Sequence, residues 1–466
     1  MGEEISRRTA IGSLACGSLL FPGIVSELLS ADGGEASAGG LSARAPHGVP
    51  RASRVIFLFM SGGVSHVDSW DPKPQLVRDA GRTVTVDEFQ GRRGEFSMYL
   101  KAPQWTFRPR GDCGTMVSDL FPQMGGCVDD LCVIRSLRTD HTNHYESTLG
   151  IHTGSFTFAR PSMGSWISYG LGTLNRNLPS FVVLAPHTPY AGGQVWGSDF
   201  LPGAHQGTRV IPGTEPVSNI RRRAASVELQ QLELGLLGQL NRRHHQERPA
   251  DGVLSARMQS FETAFGMQSA MPEVFDFGGE TESTLRMYGL EPGVTEGFGW
   301  QCLAARRLVE RGVRFVELID TGSSNNWDSH GDMLAHAPLA RNVDQAIAGL
   351  LGDLKQRGLL EETLVVWTTE FGRTPFNAAA GAAGREHHHW VFSSWLAGGG
   401  VKGGMVWGES DEYGMRPARD EVHVHDFHAT ILHLLGLDHT RLTWRHSGRD
   451  YRLTDVHGKV VEGILS

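Results

Sequence analysis

Short, mostly apolar runs recur along the chain at residues 55–60, 132–134, 181–184, 313–319, 364–367 and 390–396. They do not alternate cleanly with polar residues, which is the pattern of strands buried on both faces of a parallel sheet. Helical patterns lie between them. In the clearest, Leu339, Val343, Ile347, Leu350, Leu351 and Leu354 are spaced by three and four, Gly358 closes the segment, and the run at 364–367 follows. Strand, helix, strand alternation predicts an α/β fold: a doubly wound, mostly parallel sheet with helices on both faces, carrying loop and helical insertions.

The insertion is expected at about residues 187–295. Its first part, to about 217, is rich in Gly and Pro and has no sustained period, so it reads as a long surface loop of the kind that often lines a site. From 221 to about 271 the pattern turns helical, with Leu232, Leu236 and Leu240 leading to Arg242-Arg243-His244-His245, and reads as a helical cap with a solvated basic end. A helix over residues 426–437 and a closing hairpin with its turn at His457-Gly458 complete the chain. The five histidines around that helix, His423, His425, His428, His433 and His439, read as mostly structural.

The amino end differs in character. Ser6-Arg7-Arg8 precedes an apolar, glycine-containing stretch over residues 10–25, and Ala36-Ser37-Ala38 offers a small-residue cleavage site. Residues 1–38 therefore read as a twin-arginine export signal, 39–52 as a linker and 53–466 as the folded domain. The partner this implies is the twin-arginine translocation machinery, and the expected place is periplasmic or extracellular. Pro22, Gly23 and Glu27 interrupt the apolar stretch, so no stable membrane anchor is expected. Export in the folded state suits a protein that acquires its metal before crossing. No C-x-x-C pair exists, and Cys113, Cys127, Cys132 and Cys302 read as buried thiols or one disulfide.

Charge narrows the function. With 43 Lys+Arg against 51 Asp+Glu, the net charge of −8 excludes a nucleic-acid partner held by a basic face. The 59 glycines among 466 residues, near twice the usual ~7%, fit tight loops, and 21 histidines, many clustered, fit metal. Ligands of open α/β sheets lie beyond the carboxyl ends of the strands, and five such places carry unusual residues. Ser61-Gly62-Gly63 lets backbone N–H groups approach an anion, while His66, Asp68 and Asp71 behind it can ligate a cation or simply cap a turn. Thr142 and His144 stand at a helix start, where the dipole favours negative charge, suiting a nucleophile or an anion ligand. Asp328 and His330, two apart in a glycine-bounded loop, can present oxygen and nitrogen to one divalent metal. Glu370 and Arg373 follow the next strand, and Arg373 can clamp a tetrahedral oxyanion. In His387-His388-His389 at least one imidazole is expected to ligate metal; spacing does not choose among them, and His387 and His388 are taken as candidates.

Taken together, these segments resemble a family of exported bacterial proteins known as a domain of unknown function, family 1501, which is sulfatase-like and placed in the alkaline-phosphatase superfamily. The carriers are the paired arginines, F-L-F-M-S-G-G-V-S-H-V-D from Phe57, W-D-S-H-G from Trp327, T-T-E-F-G-R-T-P from Thr368, G-R-E-H-H-H from Gly384, G-G-G-V-K-G-G from Gly398 and H-A-T-I-L-H-L-L-G-L-D-H from His428. The resemblance implies an alkaline phosphatase/sulfatase-like core and metal-assisted hydrolysis of phosphate or sulfate esters, with a nucleophile at a helix start and one or two divalent ions, whether zinc, calcium, magnesium or manganese. Its metal ligands would come from Asp68, Asp328, His330, Glu370, His387 and His388; Thr142, His144 and Arg373 would be catalytic. The chain departs from the superfamily pattern in two places: Ser61 stands where an acid is usual after the first strand, and Glu370-Phe371 replaces an Asp followed by His or Asn. Residues 139–154 also hold no Cys, Pro or Arg, which excludes the formylglycine mechanism. Thr142 is then the expected nucleophile, with His144 or an activated water as the other choices. The substrate would be a small-molecule or glycan ester. The competing expectation is a noncatalytic sulfatase-like protein that binds anionic glycan or envelope components.

Overall fold

Alternate side chains of one strand enter two different cores, and this double burial sets the architecture. In the computed structural model, which describes residues 41–218, 220–248 and 252–466, the apolar runs join one nine-stranded sheet. The export signal read in residues 1–38 and the start of the linker lie outside the described residues. The strands in chain order are β1 (Arg54–Phe59), β2 (Leu131–Arg138), β3 (Phe181–Leu184), β4 (Thr208–Val210), β5 (Phe315–Ile319), β6 (Thr363–Thr368), β7 (Phe392–Ala397), β8 (Met405–Trp407) and β9 (Val422–His423). Their spatial order is β8-β2-β7-β6-β1-β5-β3-β4, and β9 shares the outer edge of β2 with β8. Only β7 runs against its neighbours in this sheet, so the sheet is mixed and mostly parallel.

Seven helices matter here: α1 (His144–Thr153), α2 (Met163–Leu171), α3 (Val227–Gln246), α4 (Gly252–Phe275), α5 (Phe298–Glu310), α6 (His336–Gln356) and α7 (Val424–Leu434). Ile56 and Leu58 of β1 and Val365 and Trp367 of β6 meet Leu303 of α5 and Val343, Ile347 and Leu350 of α6 on one face. Val55, Phe57 and Phe59, with Leu364 and Val366, meet Leu149 of α1, Trp166 of α2 and Phe427 and Ile431 of α7 on the other. Burial on both faces is why the strands read as continuous apolar runs.

The leucine stripe predicted from residue 339 lies on α6, and Gly358 closes it with φ of 67°. Two expectations change. Residues 208–210 are an edge strand of the main sheet, paired with β3 and anchored by buried Val210, and not part of a surface loop. The closing hairpin forms earlier than expected, between Trp444–His446 and Arg449–Tyr451, because Ser447 and Gly448 both take positive φ (48° and 83°), the backbone of a two-residue hairpin turn. All four described cysteines are free thiols, and Cys113 is exposed.

Since β7 is reversed, its amino end lies at the same edge of the sheet as the carboxyl ends of β1, β2, β5 and β6. All five candidate segments therefore emerge on one edge. α1 is held there from its far end: buried His152 lies with Nε2 2.9 Å from Oε1 of buried Glu317 on β5. His152 Nδ1 donates to the Thr148 carbonyl at 2.7 Å, which turns Nε2 toward Glu317. Glu317→Ala removes one partner of this buried pair and is expected to cost roughly 3–5 kcal/mol of unfolding free energy, as breaking such pairs does. Denaturant titration measures it; a loss within the error of the method would show that the contact does not hold α1.

Candidate metal centre

Two loops must interlock before the histidines can meet. Asp320, directly after β5, accepts from the Ser61 amide at 3.1 Å and from Trp327 Nε1 at 2.6 Å, and the Trp327 amide donates to the Ser61 carbonyl at 3.1 Å. The loop after β5 is thereby laid across the loop after β1. The approach is so close that a Cβ on Gly62 would stand 2.6 Å from the Trp327 nitrogen, which is why a glycine stands there. Asp328 follows immediately. On the other side Asn143 caps α1 by accepting from the Tyr145 amide, which places His144 at the first residue of the helix.

Asp328 is the meeting point. Its Oδ1 lies 2.8 Å from His330 Nε2, 3.1 Å from His387 Nε2 and 2.6 Å from Arg373 Nη2, and its Oδ2 lies 3.3 Å from His144 Nε2. The His330 and His387 Nε2 atoms are 2.9 Å apart. One ligand atom from each of His144, Asp328 and His387 lies within 4.8 Å of the others, close enough to share an ion at bond lengths near 2.0–2.2 Å.

Each imidazole is turned to face this point by its other nitrogen. His144 Nδ1 is 2.7 Å from Glu370 Oε1, His387 Nδ1 is 2.7 Å from the Thr142 carbonyl oxygen, and His330 Nδ1 is 2.7 Å from Glu386 Oε2. An oxygen behind Nδ1 takes its proton and leaves the Nε2 lone pair directed inward, as in carboxylate–histidine–metal arrangements. His144 Nε2 is buried and makes no hydrogen bond, its approach to Asp328 being off hydrogen-bond geometry. A buried nitrogen of this kind fits a ligand to a cation. Burial opposes ionisation of Asp328, but the imidazoles of His144, His330 and His387, with the charge of Arg373, outweigh it and hold the carboxyl well below the usual carboxylate range. Hydrogen bonds to Asp328 and Glu386 raise His330 to about 9. Positive charge on His330 lies between Asp328 and Glu386, in the place where a divalent ion would supply it.

Of the residues singled out from the sequence, Asp328, His330, His387 and His144 come together. The others offer no ligand atom to this point, although Glu370 and Arg373 touch residues that do. Asp68 is buried in an ion pair with Arg385 at 2.7 Å and also accepts from Ser65 and the Gln104 amide, so its oxygens are taken. Glu370 stands behind His144, both oxygens facing the Gly62 amide (2.9 and 3.1 Å), with Thr369 Oγ1 on the second. The amide that was expected to approach an anion is therefore given to the protein's own carboxylate. His388 Nε2 turns to the Met415 carbonyl at 2.7 Å, because successive side chains of an extended segment point to opposite sides. Thr142 contributes its carbonyl to His387, while its Oγ1 abuts the turn at Gly91, 3.2 Å from where a Cβ on that glycine would stand. Arg373 is fully buried, bonded to Asp328 and to the Gly62, Gly63 and Arg385 carbonyls, so it holds the carboxylate and is not free to clamp a substrate.

Three neighbours were not anticipated. Tyr190 stacks on His144 with ring centroids 4.0 Å apart, Asn326 holds the Tyr190 hydroxyl at 3.0 Å, and Glu386 backs His330. Glu386 stands next to the histidine run and could have been found there; Tyr190, in a loop without periodicity, carried no signal.

Fold and site together define an α/β protein with a mixed, mostly parallel sheet and a His/Asp donor group at its strand ends. The model of the family described as "Protein of unknown function (DUF1501)" matches residues 52–465, and the chain belongs to that family. No curated protein matches it in sequence. Similar solved structures include the lipoteichoic acid synthase LtaP from Listeria monocytogenes (9% identity, 89% of this chain and 78% of that one, TM-score 0.37). The PsFucS1 sulfatase from Pseudoalteromonas sp. (13% identity, 89% and 72%, TM-score 0.34) and an alkaline phosphatase from the Antarctic bacterium TAB5 (11% identity, 77% and 95%, TM-score 0.32) are two more.

The role given to Glu370 is open to a direct test. Glu370→Gln keeps its size but exchanges one acceptor oxygen for an NH2 and removes the charge behind His144, and is expected to weaken binding of a divalent ion about tenfold or more, as losses behind a metal ligand do. Competition with a chromophoric chelator reads this; unchanged affinity in a folded variant would remove Glu370 from that role.

Proposed function

We propose that this protein is an exported, divalent-metal-dependent hydrolase of phosphate or sulfate esters. The observation that carries the reading is the convergence of three Nε2 atoms on the Asp328 carboxylate, each with its Nδ1 tied to an oxygen. His144, Asp328 and His387 would hold the ion, and His330, the most exposed of the four, would complete the set. An imidazole-rich set with one carboxylate favours zinc or a neighbouring transition metal over calcium or magnesium, which prefer oxygen. A bound ion would polarise the ester oxygen and lower the pKa of water.

The chain's own residues do the positioning. Arg373 and the interlocked loops fix Asp328, Glu370 and the Thr142 carbonyl aim two imidazoles, and Tyr190 covers the face of His144. Attack by water suits this arrangement better than attack by Thr142, whose hydroxyl abuts the Gly91 turn. Export by the twin-arginine route and a small-molecule or glycan ester as substrate belong to the same proposal and rest on the sequence resemblance. A second reading, a noncatalytic protein binding anionic glycan or envelope components, draws on two facts: the Thr142 hydroxyl facing the Gly91 turn and Arg373 committed internally.

Elemental analysis of the metal-loaded protein separates the two. The hydrolase reading expects about one divalent ion per chain, lost in Asp328→Ala and His387→Ala, and turnover of aryl phosphate or sulfate esters that falls at least about a hundredfold in the same variants. A folded protein that takes up no stoichiometric ion would sink this reading in favour of the binding protein. Thr142→Val is expected to keep its rate within about threefold of wild type, since only the carbonyl of that residue is used; loss of activity on the scale of Asp328→Ala would restore Thr142 as the nucleophile.

A further inference from the structure

Helix α3 is built the wrong way round for a soluble surface helix. Leu229, Leu232, Leu236 and Leu240, spaced by three, four and four, are 44%, 71%, 58% and 52% exposed, and none of its twenty residues is buried. The half-buried side of the helix is instead Gln230, Leu234, Gly238, Asn241, His244 and His245, and Gln230 on that side donates to Gln268 of α4 at 2.7 Å. A helix that docks its mostly polar stripe and offers its leucines outward presents an apolar face for something outside the chain. α4 likewise exposes Phe261 and Phe265.

Charge decides between the occupants. Residues 221–248 hold six arginines (Arg221, Arg222, Arg223, Arg242, Arg243, Arg248) and three glutamates (Glu228, Glu233, Glu247), so this segment carries 6 − 3 = +3 within a chain of −8. Arginines flank the leucine stripe at both ends. A second copy meeting this face would bring +3 against +3, in parallel or antiparallel pairing alike. A surface of anionic phospholipid headgroups would take the leucines into its acyl boundary and neutralise the arginines around them. No described helix is long and apolar enough to cross a membrane, so the helix would lie in the interface and not span it. We propose that α3 is an interfacial helix that holds the protein on an anionic phospholipid bilayer. The reading is independent of the metal centre, because α3 contributes no residue to the donor group.

Sedimentation with vesicles tests it, using the full chain and two variants, Leu232→Asp/Leu236→Asp and Arg242→Glu/Arg243→Glu. All three proteins share residues 10–25, so a difference between them reads α3 alone. The altered side chains are exposed, so both variants are expected to keep the wild-type circular dichroism and melting; should the leucine variant fail to fold, the arginine variant still decides. Wild type is expected to pellet with phosphatidylglycerol vesicles, to pellet at least about tenfold less with phosphatidylcholine alone, and to lose binding as salt is raised. Each variant is expected to partition about tenfold less onto phosphatidylglycerol. Equal binding by the variants, or equal binding to both lipids, overturns the proposal. So does a wild-type dimer in light scattering that becomes a monomer in the leucine variant, which would assign the face to a second copy.

Discussion

One carboxylate organises the edge of this sheet. Asp328 is ringed by three imidazoles and a buried guanidinium that arrive from four separate stretches of chain, after β2, after β5, after β6 and before β7. Four groups this close would be costly to desolvate without a shared counter-charge. Asp328 supplies that charge, and its own position depends on Arg373 and on the clamp between the loops after β1 and β5. Each of the three imidazoles and the guanidinium contacts Asp328, so the centre is a connected unit and not a list of ligands.

The sheet makes the unit possible. Reversal of β7 brings the histidine run to the same edge as the carboxyl ends of four other strands. Burial on both faces fixes the strands, because a shift of register would misplace side chains in two cores at once. Outward from that rigid frame, control passes to close backbone contacts. Gly62 lets Trp327 approach, and Gly384 lies where a Cβ would stand 1.8 Å from the His330 carbonyl oxygen, so the loops bearing Asp328 and His330 sit against glycines that no other residue could replace without displacement.

The periphery obeys different physics. α4 enters one core with Met267, Met271 and Val274, but α3 buries no residue and keeps its leucines in solvent while docking a mostly polar side. Metal chemistry at the strand ends and an apolar, basic-flanked helix on an insertion are thus separable features of one chain. A domain can vary the second without disturbing the first.

The sequence by itself determined six of the nine strands of the sheet, helices such as α6 and α7 and the α/β class, because a strand buried on both faces must be apolar throughout and a helix must carry its stripe at intervals of three and four. It also marked Asp328, His330, His387 and His144 as chemically unusual, since clustered imidazoles at strand ends have few packing roles. Only the tertiary structure decided which of them share a point. Neighbouring residues in an extended segment face opposite ways, so His387 turns to Asp328 while His388 turns to Met415. Asp68, Glu370 and Arg373 looked like ligands or clamps in the sequence, but their partners, Arg385, His144 and Asp328, lie 317, 226 and 45 residues away. No local pattern encodes which buried charge neutralises which, because that choice is made by the packing of distant segments into a space with room for only one arrangement.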